Sequence, residues 1–200
     1  MSETPIDSSK RTWLIASGCA GAVGGVATAV PFVSSFQPSE KAKAAGAAVE
    51  VDISALKPGE KVTVEWRGKP VWIIRRTPEQ VAELPKLDSQ LADPQSKRNP
   101  AEFTPPYAQN EHRSIKPEIS VLVGVCTHLG CAPEFLPEVK PEPFDPDWKG
   151  GYFCPCHKSR FDMSGRVFQG VPAPTNLVVP AHHYADDNTI IIGVDPQGAA

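Results

Sequence analysis

Two short stretches hold the residues best suited to chemistry. The first reads Cys126-Thr127-His128-Leu129-Gly130-Cys131 and the second Cys154-Pro155-Cys156-His157-Lys158-Ser159. Each offers a cysteine and a histidine at ligand spacing, Cys-x-His in the first and Cys-x-x-His in the second. Each also offers one further cysteine. Cys126, His128, Cys154 and His157 could therefore hold a metal, which leaves Cys131 and Cys156 to pair with each other and tie the two loops together. Four of the five cysteines lie in this region, and such clustering points to a metal site or a disulfide rather than to scattered core thiols. A disulfide also implies an oxidising compartment. Two cysteines and two histidines would suit a structural zinc. Zinc leaves the matched extra cysteine of each loop without a role.

The elements that must position these loops are strands. Residues 49–53 (VEVDI) alternate as a half-buried strand does. Lys57-Pro58-Gly59-Glu60 is a turn, 62–66 a second strand, Arg67-Gly68-Lys69 a turn and 71–75 the returning strand. Thr77-Pro78-Glu79-Gln80 can start a short helix, because proline suits the first helical position. The rest of 77–118 reads as a long polar excursion. Residues 119–125 form an apolar strand leading straight into Cys126, and 177–179 and 189–194 read as closing strands. The fold class is all-β, an antiparallel domain over 49–200 with a metal-bearing insertion at about 126–174. The proline-rich stretch 134–149 reads as a surface loop. Trp66 and Trp72 read as core, and His112, His182 and His183 as surface residues.

Ahead of this head lies a different kind of segment. From 13 to 36 there is no charged residue, a run of 24, and about 20 helical residues suffice to cross a bilayer. Gly18, Gly21, Gly24 and Gly25 would allow close helix approach in lipid. One transmembrane helix is expected over 13–36, with Cys19 as a small buried residue in it. Residues 1–12 are a polar tail taken as cytoplasmic, and 37–48 (QPSEKAKAAGAA) are a flexible tether without large apolar side chains. Ala42-Lys43-Ala44 has the small-x-small form of a cleavage site, but the apolar run exceeds a signal h-region, so the anchor is expected to be retained. With 20 basic and 23 acidic residues the net charge is −3, and no Lys/Arg stripe suggests nucleic acid.

C-T-H-L-G-C followed by C-P-C-H-x-S resembles the signature of the Rieske iron–sulfur proteins of quinol–cytochrome c reductases. The likeness extends to Gly170-Val171-Pro172-Ala173-Pro174, similar to the family's proline loop, and to Trp72–Thr77 and Asn110–Pro117, which resemble proteobacterial members. Ser9-Lys10-Arg11-Thr12-Trp13-Leu14 resembles a twin-arginine export signal with Lys10 in place of the first arginine.

The resemblance implies one [2Fe–2S] cluster, with Cys126 and Cys154 on one iron and His128 and His157 on the other. It implies a Cys131–Cys156 disulfide, shielding of the cluster by Leu129, and a hydrogen bond from the Ser159 hydroxyl to a cluster sulfur. His157, together with His128, would meet ubiquinol and take an electron with a coupled proton. The electron would pass to cytochrome c1 as the head moves on its tether. Cytochrome b and cytochrome c1 are the implied partners, in a dimeric complex of the bacterial inner membrane with the head in the periplasm. Fewer thiolates make the cluster less negative, so such centres lie at roughly −150 to +300 mV, against about −400 mV for plant-type ferredoxins. Two positions depart from the common pattern. Phe161 stands where many members have a tyrosine whose hydroxyl bonds a ligand sulfur, and Lys158 replaces a frequent glycine. The Rieske ferredoxins of oxygenases and the Rieske subunits of arsenite-type oxidases are the competing redox readings. The first is disfavoured by the anchor and the extra cysteines, the second by the stretches outside the motifs.

Overall fold

The computed structural model describes residues 8–40, 46–98 and 103–196. The chain divides into two compact units, Met1–Ala44 and Ala45–Ala200. Most of the tail (1–7) and the middle of the expected tether (41–45), with its small-x-small site, lie outside the described residues.

The first unit contains α1, Ser8–Ser34, which starts five residues ahead of the uncharged run. Its 27 residues span about 40 Å against a hydrocarbon core of about 30 Å. In lipid every polar group needs an internal partner. The hydroxyls of Thr12, Ser17 and Thr28 each donate to a carbonyl one turn back. Pro31, which brings no N–H, sits in the last turn. None of the residues of α1 is buried against protein, so Cys19 is exposed rather than buried. The helix is long and apolar enough to cross a membrane by length and composition, and a helix in lipid has no need of a protein core.

The second unit is three layers of three-stranded antiparallel sheet. The middle sheet has the order β2 (Lys61–Trp66), β3 (Lys69–Arg75), β4 (Ile119–Val123). Alternation along β3 and β4 explains why their sequences are almost wholly apolar. Val71 and Ile73, with Ile119, Val121 and Val123, face one core. Trp72, Ile74 and Leu122 face the other. The first core is closed by the sheet β1 (Val49–Asp52), β9 (Thr189–Ile192), β8 (His182–Tyr184), which contributes Val51, Ile190 and Ile192. The second is closed by β5 (Glu134–Leu136), β6 (Gly151–Cys154), β7 (Ser159–Asp162), which contributes Tyr152, Cys154 and Phe161. The expected antiparallel β domain is thus the architecture observed, with β5, β6 and β7 forming a sheet of their own between β4 and β8 in the chain.

The described residues that follow β3 hold more regular structure than their composition suggests. Thr77 caps α2, Pro78–Glu83, in a reciprocal box with Gln80. A 3-10 helix, Leu84–Gln90, follows, and Leu84 and Leu87 reach two different cores.

Three expectations need correction. Residues 177–179 belong to no strand. Val178 accepts one bond from Val123 and Val179 donates one to Phe103, and Pro180 has no N–H to continue a pairing. The stretch 134–149 is a surface loop only in its middle. It opens with β5 and ends at buried Trp148, whose indole N–H donates to the Leu136 carbonyl. Phe144 stacks on Phe153, and Asp145 pairs with Arg160. His182 is buried, with Nδ1 2.8 Å from the Pro180 carbonyl. Its burial pushes the imidazole pKa down, so this ring belongs to the core and not to the surface.

Candidate metal centre

The first loop leaves β4 through Gly124, where a Cβ would overlap the Trp72 indole. The loop then closes on itself. The Gly130 N–H donates to the Cys126 carbonyl (3.0 Å), and the Cys126 N–H donates to the Cys131 carbonyl (2.8 Å). The second loop is the tip of the β6–β7 hairpin, whose last paired residues are Cys154 and Ser159. The Lys158 N–H donates to the Cys154 carbonyl at 2.8 Å. Lys158 has φ +62°, a left-handed conformation that costs a non-glycine residue about 1–2 kcal/mol. This explains why glycine is frequent at that position in the family the sequence resembles.

The two loops meet. Cys131 and Cys156 form a disulfide across a separation of 25 residues. Cys126 and Cys154 remain as free thiols, 3% and 2% exposed. The His128 and His157 rings stand edge to face, 4.7 Å between centroids. His157 and Leu129 are exposed, Leu129 to 71%, while His128 is half-buried. The sulfurs of Cys131, Cys154 and Cys156 lie within 4.8 Å of one another. That trio is not a ligand set, because two of its sulfurs are already bonded to each other and have no thiolate to give.

Four donors therefore remain, two sulfurs and two imidazoles. Their state fits a metal group. His128 Nδ1 is buried and has no hydrogen-bond partner, and a buried polar atom left alone is costly. Burial pushes the Cys126 thiol pKa up, and the neighbouring Cys154 pushes it further. A bound cation inverts that preference and favours the thiolate.

A third loop covers the site. The Ala173 N–H donates to Ser159 Oγ at 3.0 Å, and Thr127 Oγ1 donates to the Thr175 carbonyl at 2.7 Å. The proline loop is thus tied to both cysteine loops. Since Ser159 Oγ accepts from Ala173, its own proton stays free for a sulfur, and its hydrogen bond to the Cys126 side chain favours the thiolate. Thr127 and the Ala173 amide carry no chemical signal in the sequence, because their roles depend on where the third loop lands.

Phe161 lies fully buried in the same core as Cys126 and Cys154, opposite Tyr152 in the β6–β7 ladder. By the resemblance, a tyrosine hydroxyl at this position would bond a ligand sulfur. Phe161→Tyr is expected to raise the midpoint of a bound cluster by ~40 mV, the equivalent of ~1 kcal/mol for one hydrogen bond and one electron. A redox titration that finds no change or a fall would refute this.

The description "Rieske [2Fe-2S] domain" matches residues 47–182. A second, "Ubiquitinol-cytochrome C reductase Fe-S subunit TAT signal", matches residues 11–39. The chain is 52% identical to the ubiquinol-cytochrome c reductase iron-sulfur subunit of Allochromatium vinosum, over 96% of this chain and 90% of that one. It is 40% identical to the protein of the same name from Bradyrhizobium diazoefficiens, over 90% of each. The corresponding Rhodospirillum rubrum protein is also 40% identical, over 94% of this chain and 93% of its own length.

Proposed function

The chain belongs to the Rieske [2Fe–2S] family, and from that membership we propose that it is the redox subunit through which a ubiquinol–cytochrome c reductase takes electrons from ubiquinol. The observation that carries the reading is the joined pair of loops, with two buried free thiols and two facing imidazoles beside one disulfide. A bound [2Fe–2S] cluster takes up and releases one electron at a time. Cys126 and Cys154 would hold one iron as thiolates, and His128 and His157 the other.

The remaining chemistry belongs to the chain's own side chains. His157 is exposed at the tip, so its outer ring nitrogen can accept the hydrogen bond of a quinol hydroxyl and hold the proton. Leu129, exposed in the first loop, would shield the cluster between the two histidines. Ser159 and the tied proline loop hold the buried side of the site rigid, which limits reorganisation when charge changes. Cytochrome b would supply the quinol pocket, and cytochrome c1 would receive the electron, in a dimeric complex.

Residues 13–36 would serve as a retained anchor in the bacterial inner membrane, following a cytoplasmic tail at 1–12. Residues 37–48 would be the tether that lets the periplasmic head, 49–200, reach both partners. Its cluster-binding part would be about 126–174.

An EPR-monitored redox titration of the membrane-bound protein tests the reading. The expected result is a Rieske-type signal with a positive midpoint. A signal reducible only near −150 mV would favour a ferredoxin of the oxygenase type. Zinc in place of iron in fully loaded protein would reduce the site to a structural module.

A further inference from the structure

Three arginines, Arg76, Arg113 and Arg166, are almost completely buried. They converge on the turn that follows β7. Arg166 is neutralised, since its Nε donates to Asp162 and its Nη1 to Asp88, both at 2.7 Å. The other two are different. Arg76 donates to the His112 carbonyl (2.9 Å), Ser164 Oγ (2.7 Å) and Ser114 Oγ (2.8 Å). Arg113 donates to Ser96 Oγ, to Thr104 Oγ1 and to the carbonyls of Ser164 and Leu177, at 2.7–3.0 Å. Every acceptor is neutral. Among the described residues neither guanidinium has a carboxylate within ion-pair distance. Asp162 and Glu118 bear on Arg76, and Asp162 and Asp93 on Arg113, only through space, with Asp162 bonded to Arg166 and Asp93 to the backbone N–H groups of Lys97 and Arg98.

Neither charge is paired directly with a carboxylate, and Arg76 Nε is buried without a hydrogen-bond partner. Burial brings each down only to about 10, so both stay protonated at neutral pH. Their place in the fold relates them to the metal centre. Arg76 extends the face of β3 that carries Trp72 and Ile74 into the core shared with Cys126 and Cys154. Its charge acts on the Tyr152 phenol, and Tyr152 shares a face of β6 with Cys154. Leu177, whose carbonyl Arg113 holds, lies in that core too. Charge inside a protein is screened far less than charge at its surface.

We propose that Arg76 and Arg113 are potential-setting residues, whose buried positive charge, hydrogen-bonded only to neutral acceptors and bordering the core that holds Cys126 and Cys154, favours the reduced cluster and raises its midpoint. The inference rests on the Rieske reading above. One electron enters, no bond forms or breaks, and the added negative charge meets fixed positive charge that does not have to reorganise.

The test uses the membrane-bound protein. Ser114→Asp places a carboxylate against Arg76 Nη2 and cancels its charge within the network. Thr104→Asp does the same for Arg113 Nη2. Each is expected to lower the equilibrium constant for reduction about three- to tenfold, a fall of ~30–60 mV at 59 mV per decade. Arg76→Lys keeps the charge while losing the forked hydrogen bonds, and is expected to keep the wild-type midpoint. Aspartate variants that show the native EPR line shape and an unmoved midpoint overturn the proposal. So does an Arg76→Lys midpoint that falls as far as theirs, because the effect would then be one of positioning. If one aspartate variant fails to load, the other decides. Wild-type protein without any Rieske signal would refute the family reading itself, a result separate from either of these.

Discussion

Cys154→Ser is expected to abolish the [2Fe–2S] signal, whereas Cys131→Ser is expected to leave a signal that decays faster on warming. The sulfurs of Cys131, Cys154 and Cys156 are close enough that distance alone does not separate ligand from bridge. Bonding does, because Cys131 and Cys156 are joined while Cys154 and Cys126 are free. A serine at 154 replaces a buried soft thiolate donor with a hydroxyl that stays protonated near neutral pH, and Fe–S clusters are held through thiolates. Iron content and EPR amplitude per chain measure the outcome. A Cys154→Ser protein with full signal, or a Cys131→Ser protein with none at low temperature, would show that the roles are exchanged.

Removing the disulfide itself carries the second large effect. In the chain-entropy description, closing a 25-residue separation stabilises the folded state by about 3.5 kcal/mol. Small domains have only ~5–15 kcal/mol in total. The Cys131→Ser/Cys156→Ser double variant is therefore expected to unfold at clearly lower denaturant concentration. It should also lose its cluster before the outer sheets melt. The disulfide links only the two cysteine loops, whereas β1, β8 and β9 pack on the far side of the middle sheet. Following the EPR signal and far-UV circular dichroism together separates the two events. Coincident loss at the wild-type midpoint would contradict the prediction.

Some of this architecture is legible one residue at a time. The alternation in 49–53, the turn chemistry of Arg67-Gly68 and the capping residues Thr77 and Gln80 are local signals, and each marks an element that forms. Other parts are not legible that way. Residues 177–179 have strand-like composition, but a strand exists only if a neighbour offers a complete row of partners, and Pro180 interrupts that row. Trp148 and His182 sit in segments that read as surface, and both are buried because distant parts of the chain fold over them. Nothing local in the sequence marks Arg76 and Arg113 as buried. Their acceptors come from as far away as Ser164 and Leu177, and only the folded chain brings those atoms within hydrogen-bond reach.

The residue types and spacing of 126–131 and 154–159 determined by themselves that two thiols and two imidazoles are available in matched loops. The 24 uncharged residues determined that a helix can span a membrane. These are properties of chemistry and length that need no contact between distant residues. Tertiary structure decided which cysteines are joined and which stay free, that β3 and β4 are buried on both faces, and that the proline loop is tied across the site by Ser159 and Thr127. It also decided that Arg76 and Arg113 lie buried with only neutral hydrogen-bond acceptors. Each of those outcomes is a pairing between segments far apart in sequence, and the free energy that selects such a pairing comes from burial shared by both segments.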